Sequence, residues 1–406
     1  MAGLQSVLVI GGGSVGLMVA ALLASGSHAG ALQVLLLEPR SIPRWDAEEI
    51  GLRVYALSRA SQWLLQRVGA WDQISEARAS PYRRMQVWES SPLAGLGNLV
   101  FDSADIGEPD LGHIVEDVLL REALLRQLEV LPNIKLHLGV ELDAIKFRSR
   151  DVQVTTGSGE ILSANLLIAA DGSDSRVRTL LGLPISSVSY GQSAVVTHVG
   201  TREHHMETAW QRFLATGPLA FLPLTDGRSS VVWSTTSQHA DTLVEMSAQE
   251  FIDELETASE CVLGKIDSIS ARASFTLRAL HLRRYCCPRV ALVGDAAHIV
   301  HPLAGQGMNM GLLDAAGIVA VIENALNKGE DPGDMRVLRR YERNRKGENL
   351  KMLLALDGLN RFFRLPGISP LRAAGLTAVN AVGPAKRALM REALGLSECR
   401  PHSFSL

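Results

Sequence analysis

The chain has 406 residues, 47% hydrophobic and 20% charged, with enough apolar content to bury a large core and enough length for two or three domains. Its formal net charge of -3, with no run of lysines and arginines interleaved with aromatics, argues against nucleic acid as a partner. Four cysteines, Cys261, Cys286, Cys287 and Cys399, show no zinc-finger spacing and read as packing residues of a reduced, cytoplasmic protein.

In chain order, residues 6–10 form a short apolar run ending in glycine, 14–25 an alanine-rich helix, and 33–37 a second strand ending at Glu38, which together make a βαβ unit. No basic residue precedes the apolar stretch 7–24 and glycines break it, so it is expected to fold rather than act as a leader. Helices are expected over 57–68 and 119–131, the second with Asp117 as N-cap, then strands over 135–138, 144–147, 152–155 and 166–170. From about 186 to 275 the pattern turns alternating and β-branched, at 194–199, 219–222 and 229–235, punctuated by Gly217-Pro218 and Asp226-Gly227. A mostly antiparallel sheet is expected there. Residues 290–293 resume the buried-strand pattern, and from Met308 nearly everything is helical, with breaks at Asp331-Pro332, Pro366-Gly367 and Gly383-Pro384.

Three motifs sit on this frame. Gly11, Gly13 and Gly16 follow a strand and open a helix: the first for a tight turn, the second for close approach of a pyrophosphate, the third for helix-on-sheet packing. Glu38 ends the next strand, where a carboxylate accepts hydrogen bonds from a ribose diol and repels a 2′-phosphate, so FAD or NAD fits and NADP fits poorly. Asp171-Gly172, with Arg178 behind it, ends a second strand, and Gly294-Asp295 ends a third. A strand-end aspartate can hold a ribityl hydroxyl. The amides of Gly305, Gln306 and Gly307 at the following helix start can face the flavin O2 edge, where negative charge accumulates on reduction. Any one of these motifs alone would also suit a ligand-free turn.

The phrase Gly-Asp-Ala-Ala-His-x-x-x-Pro-x-x-Gly-Gln-Gly-x-Asn-x-Gly from Gly294 to Gly311, completed by Asp314-Ala315, resembles the flavin segment of the single-component aromatic hydroxylases, the para-hydroxybenzoate hydroxylase superfamily. Residues 52–58 (LRVYALS), 211–214 (QRFL), 217–224 (GPLAFLPL), 232–234 (VWS) and 341–343 (YER) resemble its ubiquinone-biosynthesis branch. The resemblance implies FAD bound by Gly11, Gly13, Gly16, Glu38, Asp171, Gly172, Arg178, Gly294, Asp295, Gly305, Gln306, Gly307 and Asn309. It also sets Arg53 against the pyrophosphate or ribityl chain and Glu116 facing the ribityl. Asp117 departs from the asparagine of many relatives. His298 and Pro302 are expected to shape the flavin loop; both His298 and His301 flank it, and neither is assigned as a base. Phe221, Leu222, Pro223 and Trp233 are candidates for the roof of a substrate pocket.

The fold class so implied is α/β (α+β). A Rossmann-like FAD-binding domain (1–80, 100–185 and 276–330) carries an inserted, mostly antiparallel β-sheet substrate domain (81–99 and 186–275) and a C-terminal helical region (331–406). With one glycine fingerprint, the nicotinamide donor, NAD(P)H, would bind transiently or be replaced by a redox partner, and O2 is the co-substrate. In this family a C4a-hydroperoxyflavin hydroxylates an electron-rich phenol ring; here that would be a polyprenylated phenol or quinone precursor. No segment reads as long and uncharged enough to span a membrane, so such a substrate would be met at the inner face of one. An apolar series (Leu353, Leu354, Leu356, Leu359, Phe362, Phe363, Leu365, Ile368, Leu371, Leu376, Val379) near Arg361, Arg364, Arg372 and Lys386 would make that peripheral contact, bind a homo-oligomer or quinone-biosynthesis complex, or simply pack. A hydroxylase of small soluble aromatics and a non-catalytic FAD-containing scaffold are the alternatives. His204-His205 has no third ligand at metal spacing and reads as a solvated turn.

Overall fold

A computed structural model describes residues 5–89, 97–365, 367 and 369–396; Pro366, Ile368 and Cys399, named above, lie outside them. The helices are α1 (Ser14–Ser25), α2 (Arg59–Arg67), α3 (Trp71–Arg78), α4 (Asp117–Glu129), α5 (Arg176–Leu180), α6 (Ser237–Glu245), α7 (Ala248–Ser259), α8 (Gln306–Asn327), α9 (Met335–Arg364), α10 (Ser369–Ala381) and α11 (Gly383–Ala393).

The first sheet runs, in spatial order, Cys286–Cys287, Val290–Leu292, Leu166–Ala169, Gln5–Ile10, Leu32–Glu38 and Ile134–Leu138, parallel except at the Cys286–Cys287 edge. Its central strands are unbroken apolar runs, with Val7, Leu8, Val9, Leu166, Leu167 and Ile168 fully buried in a core shared with α1, α4 and α8 and with Leu142, Val152, Val154 and Ala164 of a three-stranded antiparallel sheet (Leu142–Phe147, Val152–Thr156, Ile161–Ala164). α1 packs against α4 and α8, with Val15 set against Gly294 and Gly311.

The second sheet is larger. Its order is His298–Ile299, Ala273–Leu282, Ile185–Thr201, Ser229–Thr236, Gly217–Pro223, Thr208–Leu214, Arg84–Trp88 and Asn98–Asp102, with Ile266–Ile269 also on Ile185–Thr201. The pairing is antiparallel except between Thr208–Leu214 and Arg84–Trp88. His298–Ile299 pairs with Leu280 and His281, which fastens the third motif to this sheet as well as to the first.

Several expectations need correction. The span 57–68 is a strand end, Val54–Leu57, followed by α2, whose N-cap Ser58 accepts from the amide of Ser61. Glu116, not Asp117, is the N-cap of α4, and no side chain caps it. α6 and α7 interrupt the region read as sheet, and the expected domain boundary at 275/276 falls inside Ala273–Leu282. His205 is buried and places Nε2 3.0 Å from the Leu224 carbonyl, so it is not a solvated turn residue. Contrary to the reading above, α8 is long and apolar enough to cross a membrane, yet 67% of its most apolar window is buried as a core helix.

The C-terminal apolar series divides. Leu356, Phe363 and Leu376 pack with Phe213, Val87 and Leu99 against the second sheet, with Phe213 stacked on Phe363 at 3.6 Å. Leu354, Leu359, Phe362, Leu365 and Leu371 are exposed. Arg372 is buried on Glu89 and Lys386 pairs with Asp105, so both act as tertiary struts.

Candidate active site

The three motifs converge because the strands that lead into them are neighbours. Ile10 is in register with Ala169 and Ala169 with Leu292, so Gly11, Asp171 and Gly294 leave adjacent carboxyl ends of one parallel sheet, the edge at which such sheets bind ligands.

The glycines test whether a dinucleotide fits. Gly11 has φ +110°, and a Cβ there would lie 2.3 Å from the Ala170 carbonyl oxygen; one on Gly16 would lie 2.0 Å from that of Gly11. These two close the turn and seat α1 on the sheet. A Cβ on Gly13, by contrast, would meet nothing within 4 Å, so the N-terminus of α1 stays open to a phosphate. Glu38 stands beside this turn, its carboxylate accepting from the amides of Gly12 at 2.5 Å and Arg40 at 3.1 Å.

At the second motif, Oδ2 of Asp171 accepts from the Val177 amide at 3.0 Å, while Oδ1 is buried without a partner among the described residues. Burial lifts this carboxyl above the usual range, and hydrogen bonds from Ser175 and nearby amides only partly offset it. An orphaned acceptor at this position suits a hydroxyl-bearing ligand. Gly172, at φ +76°, also opens onto free space.

At the third motif, burial likewise raises Asp295, opposed by the charges of His298 and Arg53. Arg53 lies over the Tyr55 ring, 5.4 Å from its centroid, and Asp117 and Asp295 both act on its charge. The Tyr55 hydroxyl donates to Asp117 at 3.0 Å. The carboxylate from the α4 turn that acts on Arg53 is thus Asp117. Glu116 is committed elsewhere: it accepts from Trp45 Nε1, Arg78 and the Gly51 amide, at 3.2, 3.1 and 2.6 Å. That corrects its expected ribityl-facing role, because it anchors the 45–51 loop.

Three more expected contacts are internal. Arg178 is buried and donates to the carbonyls of Ser173 and Ala296, at 2.6 and 3.1 Å, strapping the second motif to the third. Asn309 accepts from the Ser58 amide and the Ser61 hydroxyl and donates to the carbonyls of Ala56 and Gly305, which leaves it no free group for a ligand. Gly305, at φ +62°, donates its own amide to Pro302, so the open amides of α8 are those of Gln306, Gly307 and Met308.

The two loop histidines differ. Nε2 of His298 lies 2.5 Å from Oδ2 of Asp314, which also accepts from the Gly294 amide at 3.1 Å; Oδ1 accepts from Arg345 Nε at 2.9 Å and Asn349 Nδ2 at 3.0 Å. Burial alone would raise Asp314, but His298, Arg345 and Asn349 hold it well below the usual carboxylate range. Asp314 is a hub that sequence reading recorded only as the end of a motif. His301 has no such anchor.

The expected pocket roof splits by strand parity. Phe221 and Trp233 are buried with Leu219, Val231 and Phe251 beneath α6 and α7, and Pro223 shares their face. Leu222 is on the other face with Ala220, Val196 and Val232, all half-buried. That face continues into the apolar cluster that joins Val300 and Leu303 of the flavin loop to Phe213 and α9. A groove of about 510 Å³ on α9 is lined by Arg283, Arg284, Arg339, Arg343 and Lys346 together with Glu342, Cys286, Met335, Gly347 and Leu350.

Residues 5–352 match the family described as FAD binding domain. The chain is 37% identical over 433 residues to the mouse protein named ubiquinone biosynthesis monooxygenase COQ6, mitochondrial (95% of this chain, 90% of that one). It is 35% identical to the Escherichia coli 3-demethoxyubiquinol 3-hydroxylase, over 96% and 98% of the two chains. Among solved structures, p-nitrophenol 4-monooxygenase PnpA of Pseudomonas putida superimposes with a TM-score of 0.77 at 20% identity, over 97% of this chain and 99% of that one, a likeness of fold.

Proposed function

The chain belongs to the FAD binding domain family, in the branch of the ubiquinone-biosynthesis hydroxylases, and from that premise we propose that it hydroxylates the ring of a polyprenylated phenol on the route to ubiquinone. It is an FAD-dependent monooxygenase. The observation that carries the substrate reading is the half-buried apolar face of Val196, Ala220, Leu222 and Val232, on the side of the sheet where Phe213 clusters with Val300 and Leu303.

Gly13 and the first turn of α1 would receive the pyrophosphate, Glu38 the adenosine ribose, and Asp171 and Asp295 the hydroxylated linker, with Arg53 closing over it. The open amides of Gln306 and Gly307 would hold the flavin edge that gains charge on reduction. When bound and reduced, FAD activates O2 so that one oxygen atom passes to the ring. The second sheet and α9 exclude water from the transfer and orient the phenol.

Because a polyprenyl tail partitions into lipid, we extend the proposal to peripheral contact with an acidic membrane surface through the outer face of α9. Arg339, Arg343 and Lys346 run there into the exposed Leu350 and Leu354. The test is product analysis by mass with FAD-loaded protein, O2 and NAD(P)H or a reduced donor. A short prenylphenol should gain one oxygen. Turnover of hydroxybenzoates with none of prenylphenols would overturn the substrate class, and vesicles of acidic lipid that fail to sediment the protein would overturn the membrane contact.

A further inference from the structure

His301 is 1% exposed, and neither of its ring nitrogens has a hydrogen-bond partner among the described residues. A buried polar group left unsatisfied costs about 1–3 kcal/mol, so its place calls for an occupant. The surroundings say which kind. Val300 and Leu303, on its own loop, belong to the apolar cluster with Phe213, Leu356 and Phe363. Tyr190 meets the imidazole edge-on, with ring centroids 5.0 Å apart at 75°, and the Tyr190 hydroxyl is bonded to Asp357. From α9 the charged groups that face His301 are Asp357 and Arg364, and Arg361 pairs with Asp357 at 3.0 Å.

Burial, reinforced by Arg364, brings the imidazole pKa down to about 4. At neutral pH the ring therefore carries one N–H and one lone pair, both unused, between the apolar cluster of Val300 and Leu303 and the charged groups of α9. His298, three residues earlier, is fixed on Asp314 and cannot fill this role.

We infer that His301 recognises the substrate's ring hydroxyl: the phenol O–H donates to the unprotonated nitrogen of His301, and this bond fixes which ring edge faces the flavin. The inference rests on the prenylphenol reading above. A nitrogen of such low basicity accepts the hydrogen bond without removing the proton, so the role is recognition rather than general base.

The test uses FAD-loaded, oxidised enzyme with no reductant, and reads binding from the perturbed flavin spectrum. The probes are 2-geranylphenol and geranylbenzene, which lacks only the hydroxyl. The parent should bind the phenol about tenfold more tightly, the size expected of one buried hydrogen bond. His301→Leu and His301→Phe, which keep bulk but offer no acceptor, should erase that preference by weakening the phenol, with FAD content unchanged. Either variant suffices if the other does not fold. A tenfold preference retained in a folded variant overturns the assignment, as does a parent without preference. A parent that binds neither probe shows instead that the prenylphenol reading has failed, and the assignment falls with it.

Discussion

Replacing Asp314 by asparagine tests the hub beneath the flavin loop. The carboxylate is fully buried and serves His298, Arg345, Asn349 and the Gly294 amide, so Asp314→Asn keeps the shape and removes the charge that compensates a buried guanidinium. Breaking such a pair from one side costs about 3–5 kcal/mol, since the remaining charge stays desolvated. For a chain of this length, with an unfolding entropy of about 2 cal/mol/K per residue, that loss is a fall in Tm of roughly 5 °C. Calorimetry of the FAD-loaded protein would measure it, alongside Arg345→Met and the double variant. Because the two groups touch, the double variant should be more stable than the sum of the single losses by ~1–3 kcal/mol. An Asp314→Asn protein within about 0.5 kcal/mol of its parent, or strictly additive losses, would refute the hub.

Asp295→Ala should lose FAD on dialysis, whereas His298→Ala, which removes a loop anchor and no ligand contact, should retain most of it; equal losses in the flavin absorbance would contradict this division. The imidazole of His301 has a folded pKa of about 4, below the ordinary ~6.5, so the unfolded chain binds the proton more readily and stability falls as pH drops through that window. Between pH 7 and 5 this group alone should remove about 2 kcal/mol. Denaturant titrations should show a shallower decline in His301→Leu, and parallel declines would discount the shift. Trp233→Ala should destabilise the fold by roughly 3–5 kcal/mol through the cavity left beneath α6 and α7. Leu222→Trp, on the opposite face, should leave Tm nearly unchanged and weaken prenylphenol binding, as read by thermal melts and flavin-perturbation titration.

Backbone chemistry was legible in the sequence where side-chain direction was not. The bounds of α1 and the turn and packing roles of Gly11 and Gly16 follow from what a missing Cβ permits, a local property. Phe221 and Trp233 face away from Leu222 because side chains alternate along a strand, and a burial pattern alone does not say which face meets the ligand. Glu116 and Asp117 are adjacent carboxylates, and only the strand that carries Tyr55 decides which one turns toward Arg53. The hub escaped because Arg345 and Asn349 lie 31 and 35 residues beyond Asp314; their i,i+4 spacing on α9 was the available signal. α7 was missed within the stretch read as sheet, although Ser247 and Glu250, which cap it reciprocally, stand at capping-box spacing in the sequence.

Gly11 and Gly294 stand about 280 residues apart in the chain, yet the strands that end at them are separated in the sheet only by Leu166–Ala169. On the proposed binding mode, a polypeptide leaving the ribosome would therefore have no complete cradle until its third motif has been made. On the same binding mode, once the strand Val290–Leu292 docks beside Leu166–Ala169, the ligand would gain contacts on both flanks at once and would stabilise the closed sheet by mass action. Cellular flavin supply should accordingly govern how much of this polypeptide survives proteolysis, as well as how much of it turns over substrate.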